Sequence, residues 1–352
     1  MRFRIGLVLL AVLAALAVPA TAAPKSAPQG ERQHGTFSEP GLLTRSYALY
    51  VPSSVAAKPR KAVPLLVYLH GCNQTADDAA TGTRLEELAE QQGFLVLFPE
   101  QAKPVGSSYP LADGNGSGCW NWFHPDHQTR EGGEPATLAG MTRDVMRRFR
   151  VDADRVWLAG VSAGADMATI LAATYPELWA AVAPIAGCAY RSCSDGDGVG
   201  AYAAMGPRAR VVPALVVQAS TDVVNNVVMG QTALAQWVGT NDLADDGVAN
   251  GSVPITPSST TTYPAVQGTP PGDPCVGNSR LPCAGGVAGL KSYPYTVARH
   301  DGPDGASVVE QVVIQGANHA WTGGDPRGSF VDPVGPSMGA LIYDFFVAHP
   351  RG

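Results

Sequence analysis

Charged residues are scarce in this 352-residue chain: Asp, Glu, Lys and Arg make up 15% against 45% hydrophobic residues, a balance that excludes a disordered chain. The 24 Lys and Arg against 30 Asp and Glu give a net charge of −6 with no basic stripe, so neither a nucleic-acid backbone nor an anionic membrane surface is a natural partner. No C-x-x-C pair occurs, which removes support for a zinc ribbon or a thioredoxin-type site. Internal repeats are also missing, and with them the solenoid architectures. What remains is a globular chain whose length allows two modest domains or one large α/β domain at about 150 residues per domain. Its 40 glycines and 29 prolines fall short of low-complexity sequence but imply long, turn-rich loops.

One long apolar run exists. Arg2 and Arg4 precede residues 5–18, and Ala20-Thr21-Ala22 follows as a small-residue cleavage site, the pattern of a secretory signal peptide over residues 1–22. A membrane anchor is the rival reading, but the run falls short of the roughly 20 residues that span a bilayer. Removing Arg2 and Arg4 leaves 22 basic against 30 acidic residues, so the mature chain carries −8 and is expected to be secreted, extracellular or periplasmic, with no membrane partner. Residues 23–40 read as a loose leader, and 41–350 as a single domain with a loop-rich insert at about 239–290.

Export places the six cysteines in an oxidising compartment, where disulfides outweigh thiolate–metal sites. Cys188 with Cys193, and Cys275 with Cys283, flank short Gly- or Pro-containing loops and are natural local pairs, which leaves Cys72 to meet Cys119.

Short apolar strands alternate with amphipathic helices, the signature of a mostly parallel sheet covered on both faces, an α/β fold. Strands are expected at 65–69, 94–98, 155–159, 180–185, 211–218 and 308–314. Helices are expected at 83–92, 137–149, from 163 to the stop at Pro176, and around 338–346. From 239 to 290 Gly, Ser, Thr and Pro dominate and periodicity disappears.

One motif carries chemistry. Gly160-Val161-Ser162-Ala163-Gly164 lies between an expected strand and helix, the context of a nucleophile elbow, whose sharp turn needs glycines on both sides of the serine. A serine hydroxyl needs a histidine to take its proton and a carboxylate to orient that histidine. Asp222 follows the strand at 211–218, and His319 follows the strand at 308–314, which gives the chain order Ser, Asp, His. Asp242, Asp245 and Asp246 compete with Asp222 but sit in the insert without a strand before them. Among the other histidines, His34 is in the leader, His349 is terminal, and His300 precedes a turn joining two late strands. His70 opens His70-Gly71-Cys72-Asn73-Gln74 after the strand at 65–69 and is read as a structural residue that fixes this loop. The backbone N–H of Cys72 then joins that of Ala163 as an oxyanion donor. His124-Pro125-Asp126-His127 lacks a third ligand at recognisable spacing and reads as a surface loop, so no metal or other cofactor is implied.

Together, His70 to Gln74, Cys119-Trp120-Asn121-Trp122-Phe123, the elbow with its continuation to Ala168, and Gly316-Ala317-Asn318-His319-Ala320-Trp321-Thr322-Gly323-Gly324 resemble the secreted poly(3-hydroxybutyrate) depolymerase family of esterases, in the form with a mid-chain lipase box. The likeness runs from about Ser46 to His349. It implies an α/β-hydrolase fold, Ser162 as nucleophile with Asp222 and His319, Cys72 as oxyanion donor, and a Cys72–Cys119 bridge. Feruloyl and acetylxylan esterases and a secreted poly(aspartic acid) hydrolase resemble the same scaffold, so the resemblance specifies the reaction better than the ester. An inactive binding protein on this fold is the non-enzyme alternative. Trp122, Tyr190 and Trp321 are candidates to line an apolar acyl cleft. Two departures stand out: no substrate-binding domain is appended before Gly352, which favours soluble oligomers or small esters over crystalline polymer, and Asp166 is acidic where a small residue is common. Asp166 is expected on a wet helix face.

Titration of the unfolded, unreduced mature protein is expected to find no free thiol; two or more would remove the three-bridge assignment.

Overall fold

The computed structural model describes residues 29–58, 61–103, 114–268 and 290–352. The expected signal peptide and the Cys275–Cys283 pair lie outside the described residues. In chain order the strands are β1 (Glu31–Phe37), β2 (Arg45–Val51), β3 (Val63–Leu69), β4 (Leu95–Pro99), β5 (Val151–Val161), β6 (Ala181–Ile185), β7 (Ala214–Ala219), β8 (Ser259–Tyr263), β9 (Val266–Gln267), β10 (Leu290–Ser292), β11 (Tyr295–Asp301), β12 (Ser307–Ile314), β13 (Trp321–Thr322) and β14 (Val331–Asp332). The helices are α1 (Ser53–Ala57), α2 (Ala76–Thr83), α3 (Leu85–Gln92), α4 (Gly133–Arg148), α5 (Ala163–Thr174), the short kinked α6 (Tyr190–Cys193), α7 (Val199–Met205), α8 (Val227–Asp246) and α9 (Met338–Ala348).

Ten strands form one sheet in the order β1-β2-β4-β3-β5-β6-β7-β12-β11-β8. The run from β4 to β12 is parallel, and antiparallel strands close both edges. Central parallel strands are buried on both faces, which is why β3 and β4 read as near-continuous apolar runs. Side chains still alternate. Leu65, Val67 and Leu69 pack with Leu138 and Met141 of α4, Leu171 of α5 and Trp237 of α8 on one face. Leu66 and Tyr68 pack with Ala79 of α2, Leu85 of α3 and Phe346 of α9 on the other. Among the described residues, no helix is long and apolar enough to cross a membrane.

Two expectations about organisation are corrected. The leader is not loose throughout, because residues 31–37 form edge strand β1, paired antiparallel with β2. The insert does not begin at 239, because α8 continues to Asp246, started by the Asn226 side chain accepting from Val228 N (3.0 Å) and stopped by Gly247 at φ 87°. Asp242 and Asp245 therefore sit on a helix. Asp242 accepts from Gly251 N at 3.1 Å and Ser252 Oγ at 2.8 Å, tying down the chain that leaves it. The later part of the insert supplies strand β8 at the sheet edge, and residues 269–289 lie outside the described residues. His300 lies on β11, just before the turn that joins β11 to β12.

Helix α5 is buried along its whole length and docks unusually close to the sheet. A Cβ on Gly164 would lie 2.1 Å from Leu69 O and 2.6 Å from His70 O, and one on Gly160 would lie 2.3 Å from Gly164 O. Those neighbours are backbone and cannot swing aside, so glycine at both positions is a condition of the docking. Gly164→Ala is expected to cost about 3 kcal/mol through overpacking, read as a lower urea midpoint. An unchanged midpoint would contradict the close approach.

Candidate active site

Ser162 is the single residue between the end of β5 and the start of α5. Its backbone sits at φ 56°, ψ −127°, a region that costs a non-glycine residue of order 1–3 kcal/mol. Neighbours hold it there: Ser162 N donates to Ile185 O of β6 at 3.0 Å, and Ser162 O accepts from Ala165 N at 2.8 Å and Asp166 N at 3.1 Å. The strain lifts the hydroxyl above the sheet at the N-terminal end of α5, where the Ala163 N–H has no intrahelical acceptor.

Asp222 and His319 come from the ends of the adjacent strands β7 and β12. His319 Nδ1 donates to Asp222 Oδ2 at 2.8 Å, with the Asp222 side chain fully buried and that of His319 8% exposed. The other carboxylate oxygen accepts from Val224 N and Asn225 N, both at 2.8 Å. The two loops are also joined directly: Thr221 N donates to Ala317 O at 3.2 Å, Gly316 N to Ser220 Oγ at 2.8 Å, and Val223 N to Asn318 Oδ1 at 3.3 Å. Asp222 is thus held on every side, and with Nδ1 committed, His319 presents Nε2 to the next group. Asn225 Nδ2 bonds Ala186 O beyond β6, which ties this loop to the strand that holds Ser162.

The loop after β3 faces the serine from the opposite side. A Cβ placed on Gly71 would be 3.4 Å from Ser162 Cβ. Gly71 N donates to Gln74 Oε1 at 2.9 Å, and Gln74 Nε2 reaches Asp78 Oδ2 at 3.1 Å and Ser329 O at 3.0 Å. Cys72 is bonded to Cys119, and among the described residues no protein acceptor takes its N–H. His70 is fully buried; Nδ1 donates to Gly71 O at 2.8 Å and Nε2 accepts from Gln101 N at 3.2 Å. Burial holds its pKa down at about 4. A neutral ring with both nitrogens engaged fixes the loop.

The segments 119–128 and 188–195 pack together as a wall beside α5. Tyr190 OH donates to Gln128 O at 2.5 Å, and Gln128 Nε2 donates to Ser192 Oγ at 2.7 Å. Cys188 and Cys193 are bridged within this wall. Of the three aromatic candidates for an acyl cleft, only Trp122 is half-buried. Tyr190 and Trp321 are core residues, with Trp321 edge-on to Tyr68 at 5.4 Å, so neither offers an open ring face.

Two further expectations are corrected. His127 is buried rather than on a surface loop, and its Nδ1 accepts from Glu134 N at 3.1 Å. Asp166 is not on a wet face: it is 5% exposed, its Oδ1 accepts from Cys188 N at 2.8 Å, and burial pushes its pKa up to about 8. Residues that sequence reasoning missed are Gln101, Asn121 and Glu134, a buried polar group behind the Cys72 loop. Asn121 lies within the segment 119–123, which assigns it no role, and no motif marks Gln101 or Glu134, whose only signal is a polar residue in a buried segment.

A family model described as Esterase PHB depolymerase matches residues 45–239, more than half of the chain. The poly(3-hydroxyalkanoate) depolymerase C of Paucimonas lemoignei is 30% identical over 295 residues, 83% of this chain and 59% of that protein. Feruloyl esterase B of Neurospora crassa is 34% identical over 142 residues, 40% of this chain and 43% of that protein. Acetyl xylan esterase from Aspergillus awamori superposes with a TM-score of 0.60 at 19% identity, covering 90% of this chain and 99% of that one. That likeness is one of fold, and the fold is the α/β-hydrolase fold. The chain spans less than two thirds of the length of the two sequence relatives.

Asp166 yields a test. An acid whose folded-state pKa lies above its unfolded value favours folding while protonated. Its contribution is present near pH 4 and is lost as pH rises toward 8, by up to about 1.4 kcal/mol per pH unit. Asp166→Asn keeps an acceptor for Cys188 N and removes the proton. Its urea stability relative to the parent protein is expected to grow between pH 5 and pH 8, and a constant difference would contradict a buried, protonatable carboxyl.

Proposed function

The chain belongs to the esterase PHB depolymerase family, and on that premise we propose that it is a secreted serine esterase that hydrolyses poly(3-hydroxybutyrate), or its oligomers, by double displacement. The observation that carries the reading is the 2.8 Å His319–Asp222 bond at two strand ends of the sheet whose β5 carries the strained Ser162. In the proposed cycle His319 Nε2 takes the Ser162 proton as Oγ bonds the ester carbonyl carbon, and the N–H groups of Cys72 and Ala163 receive the oxyanion. The carbonyl then reforms, the C–O bond to the alcohol breaks, and His319 returns the proton to the leaving oxygen. Water next gives a proton to His319 and attacks the acyl carbon, and Ser162 leaves with that proton. Asp222 holds the ring in the tautomer both halves need. Every proton in this cycle passes through His319.

The polyester reading rests on coverage: the likeness to the depolymerase extends over 83% of this chain, that to the feruloyl esterase over 40%. Secretion rests on the N-terminal pattern at residues 1–22 and on two disulfides among the described residues.

Ser162→Ala is expected to lower turnover of p-nitrophenyl butyrate by about 10⁴-fold or more with folding preserved; undiminished turnover would falsify the nucleophile. Side by side, 3-hydroxybutyrate oligomers and amorphous polymer granules should release product faster than methyl ferulate, acetylated xylan or poly(aspartic acid). The reverse order would overturn the polyester assignment and leave the esterase standing.

A further inference from the structure

Behind the Cys72 loop lies a buried carboxylate that the proposed cycle does not use. Glu134, in the first turn of α4, has a fully buried side chain. Its Oε2 accepts from Asn121 N at 2.7 Å, and its Oε1 accepts from Asn121 Nδ2 at 3.1 Å and from Gln101 Nε2. Arg45 of β2 has Nη2 at 3.6 Å from Oε1, and His127 Nδ1 lies 3.8 Å from Oε2. Each of the three groups hydrogen-bonded to it is an N–H donor, so the site fits an acceptor-only carboxylate.

The two segments that Glu134 gathers are the two that control the oxyanion loop. Gln101 donates from its backbone to His70 Nε2 at 3.2 Å and from Nε2 to Cys119 O at 2.9 Å. The segment 119–121 is bonded to the loop through the Cys72–Cys119 disulfide, and Trp120 Nε1 donates to His70 O at 3.0 Å. Both routes end within two residues of Cys72 N–H, one through His70 and one through the cysteine itself.

We infer that Glu134 is a positioning residue for the oxyanion site: its carboxylate ties Gln101 to Asn121 and thereby fixes where the Cys72 N–H points. A buried ion pair is weak evidence for stability, because well-packed apolar residues of like volume often stabilise as much or more. A network with three N–H donors hydrogen-bonded to one carboxylate specifies geometry instead. The inference rests on the esterase reading, since an oxyanion donor matters only if an oxyanion forms.

The test uses Glu134→Gln, which keeps the shape but turns an amide NH₂ toward N–H donors. Active sites are first counted by stoichiometric fluorophosphonate labelling, so that loss of folded protein does not enter the rate. Expected is a fall in kcat per labelled site of at least about tenfold with KM within about twofold, since one lost oxyanion donor is worth about 10²–10³ in kcat. Affinity for a trifluoromethyl ketone, whose tetrahedral adduct carries the oxyanion, should fall by the same factor. Unchanged kcat per labelled site, or unchanged ketone affinity, overturns the inference. If Glu134→Gln yields no folded protein, Gln101→Met decides on the same criteria: it removes the tie to Glu134 and Cys119 and keeps the backbone bond to His70. A parent protein that neither labels nor hydrolyses p-nitrophenyl butyrate instead defeats the esterase reading itself.

Discussion

The first turn of α5 sits against the carbonyl ends of β3 and against β5 at distances that admit hydrogen but not a methyl group, 2.1 Å from an added Cβ on Gly164 to Leu69 O. From that contact follow the strained Ser162 backbone, the aim of the helix N-terminus, and the meeting of the serine with the loop after β3. Glycines at 160 and 164 carry a cost in unfolded-chain entropy, and the buried length of α5 offsets it through apolar contact with the sheet. The site thus stands on rigid elements even though its chemical groups are on loops.

Around the serine the structure uses buried polar groups in two ways. Asp222 accepts from two backbone N–H groups and from His319 Nδ1, an arrangement that orients the ring. His70 and Asp166 are buried without an ion-pair partner among the described residues, and burial drives both toward neutrality, His70 downward to about 4 and Asp166 upward to about 8. Neutral groups here hold loops without adding a net charge beside Ser162.

The legible parts of the fold were those with a one-dimensional signature. Strands β3 and β4 announce themselves as apolar runs, the elbow as glycines spaced around a serine, and Asp222 and His319 as polar residues just past strands. Edge strand β1 was hidden because only Phe37 of its seven residues is buried, so no alternation marks it. Helix α8 is not among the helices expected from the sequence because its glycines look like loop residues, whereas a Cβ on Gly239 would lie 2.1 Å from Asp197 O, so that glycine marks a packing contact. Asp166 misled because α5 is buried all round and has no wet face to assign it to. Glu134, Gln101 and Asn121 come from three separate segments, and only the tertiary fold brings them together.

The central claim is that one strained serine, served by a histidine from the neighbouring end of the sheet, carries the chemistry. Peptide mapping after treatment of the folded protein with a fluorophosphonate tests it most directly. The account predicts a single adduct on the peptide containing Ser162, formed slowly or not at all after His319→Ala. An adduct on another residue, or none on folded protein, would contradict it.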